Sequence, residues 1–349
     1  MKNAFQSALF ALFLAFLQLL APCLSSAERP TAEPFSSPAE ITPMADEWQK
    51  APLKYPEELT GYELVVNFDQ SQSPVLKELV QEWASRNKIK AFVNGGTCGT
   101  SNSFLVHKQA DLTTFCCPPG AMDRLPGLSF HTLGIAPLAL IVHPDNPLTD
   151  VTFEEAQKLF NGQTTNWVEL TSAKGSPDFV NPVQPVIFPH CKKRPGHWRL
   201  LLASHEMMSP RAIEVQTIPD MIFTVASNKR AVGLEIFSLL DRYRAEKGAV
   251  KMLSLDGISP TDLAQAGKGD YPLYRSHTLA FWGAPSLQNK HVQELIDYLD
   301  RYIQENQKRL GIVPAADLKR NGWRFQGEEL IGAPRQPGNN NPEPLPPPR

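Results

Sequence analysis

The sequence has little net charge of either sign: 34 Lys and Arg stand against 36 Asp and Glu, a formal −2. A chain so balanced lacks the electrostatic footprint of a nucleic-acid binder or of a protein held on an anionic membrane. Long hydrophobic runs are missing too. After the first few dozen residues no stretch has the roughly 20 apolar residues that a membrane helix requires. The local signatures of common enzyme classes are also absent: no G-x-S-x-G elbow, H-E-x-x-H helix, phosphate loop or dinucleotide fingerprint occurs. These absences favour a non-enzyme with no cofactor. Cysteine is scarce, with five in 349 residues.

What is present begins with the ends. Lys2, an uncharged apolar run over 8–20, and Ser25 and Ala27 at positions −3 and −1 before Glu28 predict a secretory signal peptide over 1–27. Export to the periplasm follows. Cys23 does not suit a lipid anchor, because Pro22 occupies a position that wants Gly, Ala or Ser. Removing the leader takes away Lys2, leaving 34 − 1 = 33 basic against 36 acidic residues. The 28–58 segment is rich in Pro, Ser, Thr and Glu, and 332–349 ends in three prolines before Arg349. Such compositions bury too little apolar surface to offset chain entropy, so both are expected to be disordered.

Between the ends, the pattern alternates. A strand at Leu64-Val65-Val66-Asn67-Phe68 is followed by a polar loop, then by Val75, Leu76, Leu79, Val80 and Trp83 at helical spacing. Strands at Ala91-Phe92-Val93 and 111–115 run into a glycine loop and into Cys116-Cys117-Pro118-Pro119. Strand, loop and helix in rotation predict an α/β fold whose sheet places ligands beyond the carboxyl ends of its strands. Thr152 with Glu155 predicts a capping box, and Asn161-Gly162 a helix end. Two long extended stretches, 130–142 and 271–282, bracket the middle of the chain. That is the layout of two domains joined by two crossovers, though one continuous domain also fits the length.

The segment 139–170, containing H-P-D-N-P, F-N-G and N-W, resembles the phosphate-binding (PstS-like) family of ABC-importer solute-binding proteins. So do Ala231-Val232-Gly233-Leu234, Asp256-Gly257-Ile258-Ser259-Pro260-Thr261 and Tyr271-Pro272-Leu273-Tyr274-Arg275, in family order. Upstream, Gly95-Gly96-Thr97-Cys98-Gly99 resembles the family's glycine loop. The resemblance covers about residues 62–310. It implies a two-lobed type II periplasmic-binding-protein fold, with mixed sheets covered by helices and a hinge of two crossovers. Lobe I would span 59–138 and 278–331, and lobe II 139–277. It also implies a monomer that delivers a small inorganic oxyanion, phosphate-like, to an ABC permease or a membrane sensor.

A desolvated phosphate needs helix N-termini, hydroxyls and an arginine. Carried over loop by loop, the resemblance implies Ser71 and Ser73, then Gly96, Thr97, Cys98, Gly99 and Thr100. Cys116 and Cys117 fall where the family has serine and arginine. The fourth loop falls on 190–197, where only Gly196 matches and Lys193, Arg194 and His197 are the remaining donors. Lys192-Lys193-Arg194 is either an exposed basic turn or a cationic flap over the cleft.

If the fold holds, the four cysteines of the mature chain lie on converging loops. An oxidising compartment favours disulfides, Cys98 with Cys116 or Cys117 and the other with Cys191. A vicinal Cys116–Cys117 bridge is a further option. Reduced, Cys98, Cys116, Cys117, His190 and Cys191 would instead make a soft-metal or metalloid site, or a redox sensor. Adjacent His190 and Cys191 point to opposite sides of an extended loop and do not make a nucleophile with its base.

Overall fold

The computed structural model describes residues 35–170, 179, 181–189 and 197–334. Thirteen strands occur among them. They are β1 (Leu64–Asp69), β2 (Ala91–Gly96), β3 (Leu112–Phe115), β4 (Leu128–Val142), β5 (Asp150–Val151), β6 (Gln184–Ile187), β7 (Ile213–Glu214), β8 (Ala231–Ile236), β9 (Lys251–Leu255), β10 (Tyr274–Trp282), β11 (Val313–Pro314), β12 (Arg324–Gln326) and β13 (Glu329–Gly332). The helices used below are α1 (Asp46–Lys50), α2 (Ser73–Arg86), α3 (Cys98–Val106), α4 (Phe153–Asn161) and α5 (Val292–Leu310).

The expected α/β architecture is found. The main sheet runs in the order β2-β1-β3-β10-β4-β8-β6-β7. β1, β2 and β3 are parallel, as are β6, β7 and β8, while β10 and β4 run antiparallel to their neighbours between these groups. The 15-residue β4 joins the two groups. Its residues as far as Pro137 pair with β10, whereas Leu138 to Val142 pair with β8. Buried on nearly every residue, β4 reads as a continuous apolar run rather than an alternating one.

The helices form where their apolar spacing predicts. Pro74 sits in the first turn of α2, and Leu76, Leu79, Val80, Trp83 and Ala84 form its buried face. The Thr152–Glu155 capping box starts α4, and Gly162, with φ 81°, ends it in the left-handed conformation that glycine adopts without a Cβ clash. α5 buries Val292, Leu295, Ile296, Leu299 and Ile303. No helix among the described residues is long and apolar enough to cross a membrane.

The lead-in departs from the expected disorder. From Phe35 to residue 58 it is described and lies on the body, whereas 28–34 fall outside the described residues, as do 1–27 and 335–349. Trp48 on α1 donates its indole N–H to the Val106 carbonyl at 2.6 Å and tilts against Trp282, with ring centroids 6.0 Å apart. The Lys108 ammonium sits 4.5 Å from the Trp48 ring and donates to the carbonyls of Gln49 and Ala51. Further along, Arg124 makes a buried bidentate pair with Glu329 and donates through Nε to Ser36 Oγ. Composition averages over the segment and misses this: one indole and one buried arginine supply anchoring that its prolines do not.

Candidate functional site

Both groups of parallel strands send their carboxyl ends toward the same stretch of β4. Register makes this concrete. Phe115 at the end of β3 pairs with Thr278 of β10, Arg275 of β10 pairs with Ala136 of β4, and Ile236 at the end of β8 pairs with Leu138. Arg275 and Glu235 are thereby brought to opposite edges of one short piece of β4. Charged side chains from β10 and β8 meet beside the loop that carries Cys116.

Asp69, the last residue of β1, organises the first loop. Its Oδ1 accepts from the Ser71 backbone N–H at 2.9 Å and from Ser71 Oγ at 2.5 Å. Its Oδ2 accepts from Gln72 Nε2 at 2.8 Å and from Thr114 Oγ1 at 2.6 Å. Gln72 Nε2 also donates to the Phe115 carbonyl, which ties the first loop to the third. Burial, with the negative charge of the Cys116 sulfur adding to it, pushes Asp69 up to about 6 despite these donors.

The second loop enters α3 through a reciprocal Thr97–Thr100 cap. It also sits hard against the first loop: a Cβ on Gly95 would lie 2.3 Å from Ser73 Oγ, so any larger residue would force that hydroxyl to move. Cys98, the first residue of α3, is 5% exposed, and its Sγ lies 3.2 Å from the Sγ of Cys116, itself 2% exposed. An S–S bond is about 2.05 Å long, so the expected disulfide between these two is not formed in this structure. The Arg275 guanidinium donates from Nη1 to Cys116 Sγ at 3.1 Å and lies over the Phe188 ring, 5.6 Å from its centroid.

Glu235 and His277 complete the buried ionisable set. Burial raises Glu235 to about 7 against the opposing pull of Arg275 and of the Ile236 N–H, which donates to its Oε1 at 2.8 Å. Burial also drives His277 down to about 4, and neither ring nitrogen has a hydrogen-bond partner among the described residues.

The residues named from sequence fall as follows. Ser71, Cys98, Cys116 and Cys117 are buried at the strand ends. Ser73 opens α2, while Gly96, Thr97, Gly99 and Thr100 surround the start of α3. The Ser71 hydroxyl is spent on Asp69. His190, Cys191, Lys193, Arg194 and Gly196 lie outside the described residues, and with them the proposed basic flap and any Cys191 bridge. His197 begins a short 3-10 turn, His197–Leu200, whose backbone lies against β10. Sequence reasoning missed Asp69, Glu235, Arg275 and His277 as site residues. The available signal was a charge or an imidazole inside an otherwise apolar strand, as Arg275 and His277 are within 271–282.

The soft-metal set gains Asp69, since its carboxylate and the sulfurs of Cys98 and Cys116 all lie within 4.8 Å of one another. That carboxylate already accepts four hydrogen bonds, so its lone pairs are engaged.

Comparison with known proteins accords with this geometry. No family model matches the chain. It is 25% identical over 198 residues to the phosphate-binding protein PstS of Bacillus subtilis (strain 168), a match covering 54% of this chain and 58% of that protein. The matched stretch is thus less than two thirds of that relative's length. Over that stretch the chain is similar to PstS. Its fold is that of an ABC-type phosphate transport receptor from Vibrio cholerae, at TM-score 0.54 and 18% identity, covering 72% of this chain and 99% of the receptor. It also matches a Clostridium perfringens structure described as a phosphate ABC transporter substrate-binding protein with bound phosphate, at TM-score 0.56 and 17% identity, covering 77% and 99%. This PstS-like chain therefore has the type II periplasmic-binding-protein fold, and its arginine and cysteines sit where the parallel strands end.

Proposed function

We propose that this PstS-like chain is a periplasmic solute-binding protein that takes up a small inorganic oxyanion and hands it to an ABC permease or a membrane sensor, without chemical turnover. The observation that carries the reading is Arg275, a buried guanidinium at the meeting point of the two strand groups, beside the amino end of α3. Guanidinium and helix N–H groups are the donors that a dehydrated tetrahedral anion requires. The similarity to the phosphate-binding Bacillus relative supports phosphate as the first anion to test. The change of partner along β4 at Pro137 and Leu138 supports a division into the lobes 59–138 with 278–331 and 139–277. Such lobes would close over the anion as monomeric receptors do. Export rests on the sequence pattern of 1–27.

Calorimetric titration with phosphate, arsenate, sulfate and molybdate tests this reading. Saturable binding of at least one anion is expected, and flat traces for all four remove the oxyanion claim. A second reading, a thiol-based soft-metal, metalloid or redox protein on the same fold, is favoured by one specific observation, the close approach of the Cys98 and Cys116 sulfurs.

A further inference from the structure

Two cysteines from different loops meet at the arginine of the site. Two Zn–S bonds of about 2.3 Å at a tetrahedral angle hold their sulfurs roughly 3.8 Å apart, and a linear two-thiolate ion needs still more. The Cys98 and Cys116 sulfurs are 3.2 Å apart, between that spacing and the length of a disulfide. A move of roughly 1 Å brings them to the bond length of a disulfide. The third member of the cluster, Asp69, is already engaged by its four donors.

The partner of Cys116 matters equally. Arg275 Nη1 donates to Sγ at 3.1 Å, and a guanidinium beside sulfur is a setting that favours the thiolate. In the reduced protein a Cys116 thiolate would occupy a donor that an oxyanion would use. A disulfide sulfur is neutral and a poor acceptor, so oxidation takes that internal anion away.

We propose that Cys98 and Cys116 form a redox-active dithiol whose oxidation to a disulfide raises the affinity of the pocket for its anion by releasing Arg275 Nη1 from Cys116. This rests on the anion reading given above and adds its regulation. The oxidant is of the hydroperoxide class, small enough to enter a site whose thiols are nearly buried. The Cys116 thiolate attacks one peroxide oxygen: an S–O bond forms, the O–O bond breaks, and hydroxide leaves and takes up a proton as water. The Cys98 sulfur then attacks the sulfenic sulfur of Cys116. The S–S bond forms, the S–O bond breaks, and the departing hydroxide leaves as water with the Cys98 proton. Two electrons pass from the two thiols to the peroxide. The Cys116 charge is a cause, after burial, of the shifts at Asp69, Glu235 and His277.

The test uses the full chain in two states, reduced with a phosphine and treated with one equivalent of hydrogen peroxide. Inorganic phosphate is titrated into each, and the cysteines are mapped by mass spectrometry. A Cys98–Cys116 linked pair is expected, retained in Cys117→Ser, together with phosphate binding about tenfold or more tighter in the oxidised state, the scale of one hydrogen bond to a charged group. Cys98→Ser should lose the peroxide response, and Cys116→Ser serves the same purpose should the first variant fail to fold. The absence of a 98–116 link overturns the proposal, and so does a link that leaves phosphate affinity within twofold. A mapped link with no anion bound in either state would overturn the anion reading and the coupling together, and would leave the redox pair standing.

Discussion

Arg275 on β10 reaches Cys116 at the end of β3, with Nη1 3.1 Å from Sγ, although 159 positions separate the two residues. The contact depends on the antiparallel pairing of β10 with β3, which sets Thr278 opposite Phe115. It places one fixed positive charge where a sulfur, a carboxylate and a solute can compete for it. On the proposed anion reading, affinity at this site is governed by what else holds that charge.

Arg275→Lys keeps the charge but loses the planar fork that grips an oxyanion through two parallel hydrogen bonds. Phosphate affinity should fall about 10- to 100-fold, equivalent to roughly 1.5–3 kcal/mol for hydrogen bonds to a charged group. Calorimetry on the oxidised protein reads this, and an unchanged Kd would remove Arg275 from the site.

Glu235 gives a pH dependence of defined sign. Its folded value, about 7, lies above the ordinary 4.5, so the native state holds the proton more tightly than the unfolded chain. The stabilisation is fully present below about 4.5 and is lost as pH rises through about 7, on the order of 3 kcal/mol in total. His277, lowered from 6.5 to about 4, works in the opposite direction and gains stability over that window. Asp69, raised from 3.8 to about 6, works in the same direction as Glu235. Comparing Glu235→Gln with the parent at each pH isolates the one group. The variant should gain on the parent between pH 4.5 and 8 in urea denaturation; parallel curves would contradict the assignment.

Asp69→Asn introduces an amide NH2 among groups that all donate. At least one of the four hydrogen bonds from Ser71, Gln72 and Thr114 is then replaced by a donor facing a donor. A loss of about 1–3 kcal/mol is expected for the orphaned buried groups. A shift in urea midpoint at constant m-value checks it, and a variant as stable as the parent would show that the loop can repack.

Trp48→Ala should detach the lead-in. It removes the hydrogen bond to Val106, the packing on Trp282 and the ring beneath Lys108. Because Trp48 is only half-buried, the loss should fall below the ~3–5 kcal/mol of a fully buried tryptophan, nearer 1–2. Limited proteolysis should cut within 35–58 much faster in the variant, whereas equal rates would mean that the segment is held by other contacts.

How much of this was legible in the sequence differs from element to element. Periodicity and caps located α2, α4 and α5 because each is encoded within a few turns of chain: Leu76, Leu79 and Trp83 share a face wherever the helix sits, and Thr152 with Glu155 closes its own cap. The strands β1, β2 and β4 were visible for the same local reason. Composition, by contrast, misjudged the lead-in, because anchoring by Trp48 depends on Val106 and Trp282, neither of which its own sequence contains.

The sequence by itself determined the order of strands and helices, the glycine and cysteine loops at the strand ends, and the balance of charge that argues against nucleic acid. Tertiary structure decided which ionisable groups lie together. Asp69, Cys98, Cys116, Glu235 and Arg275 come from five separate segments, and sheet register brings those segments together, through pairings such as Phe115 with Thr278 and Leu138 with Ile236. Burial at that meeting then sets their protonation, and burial is a property of the packed molecule rather than of any stretch of chain.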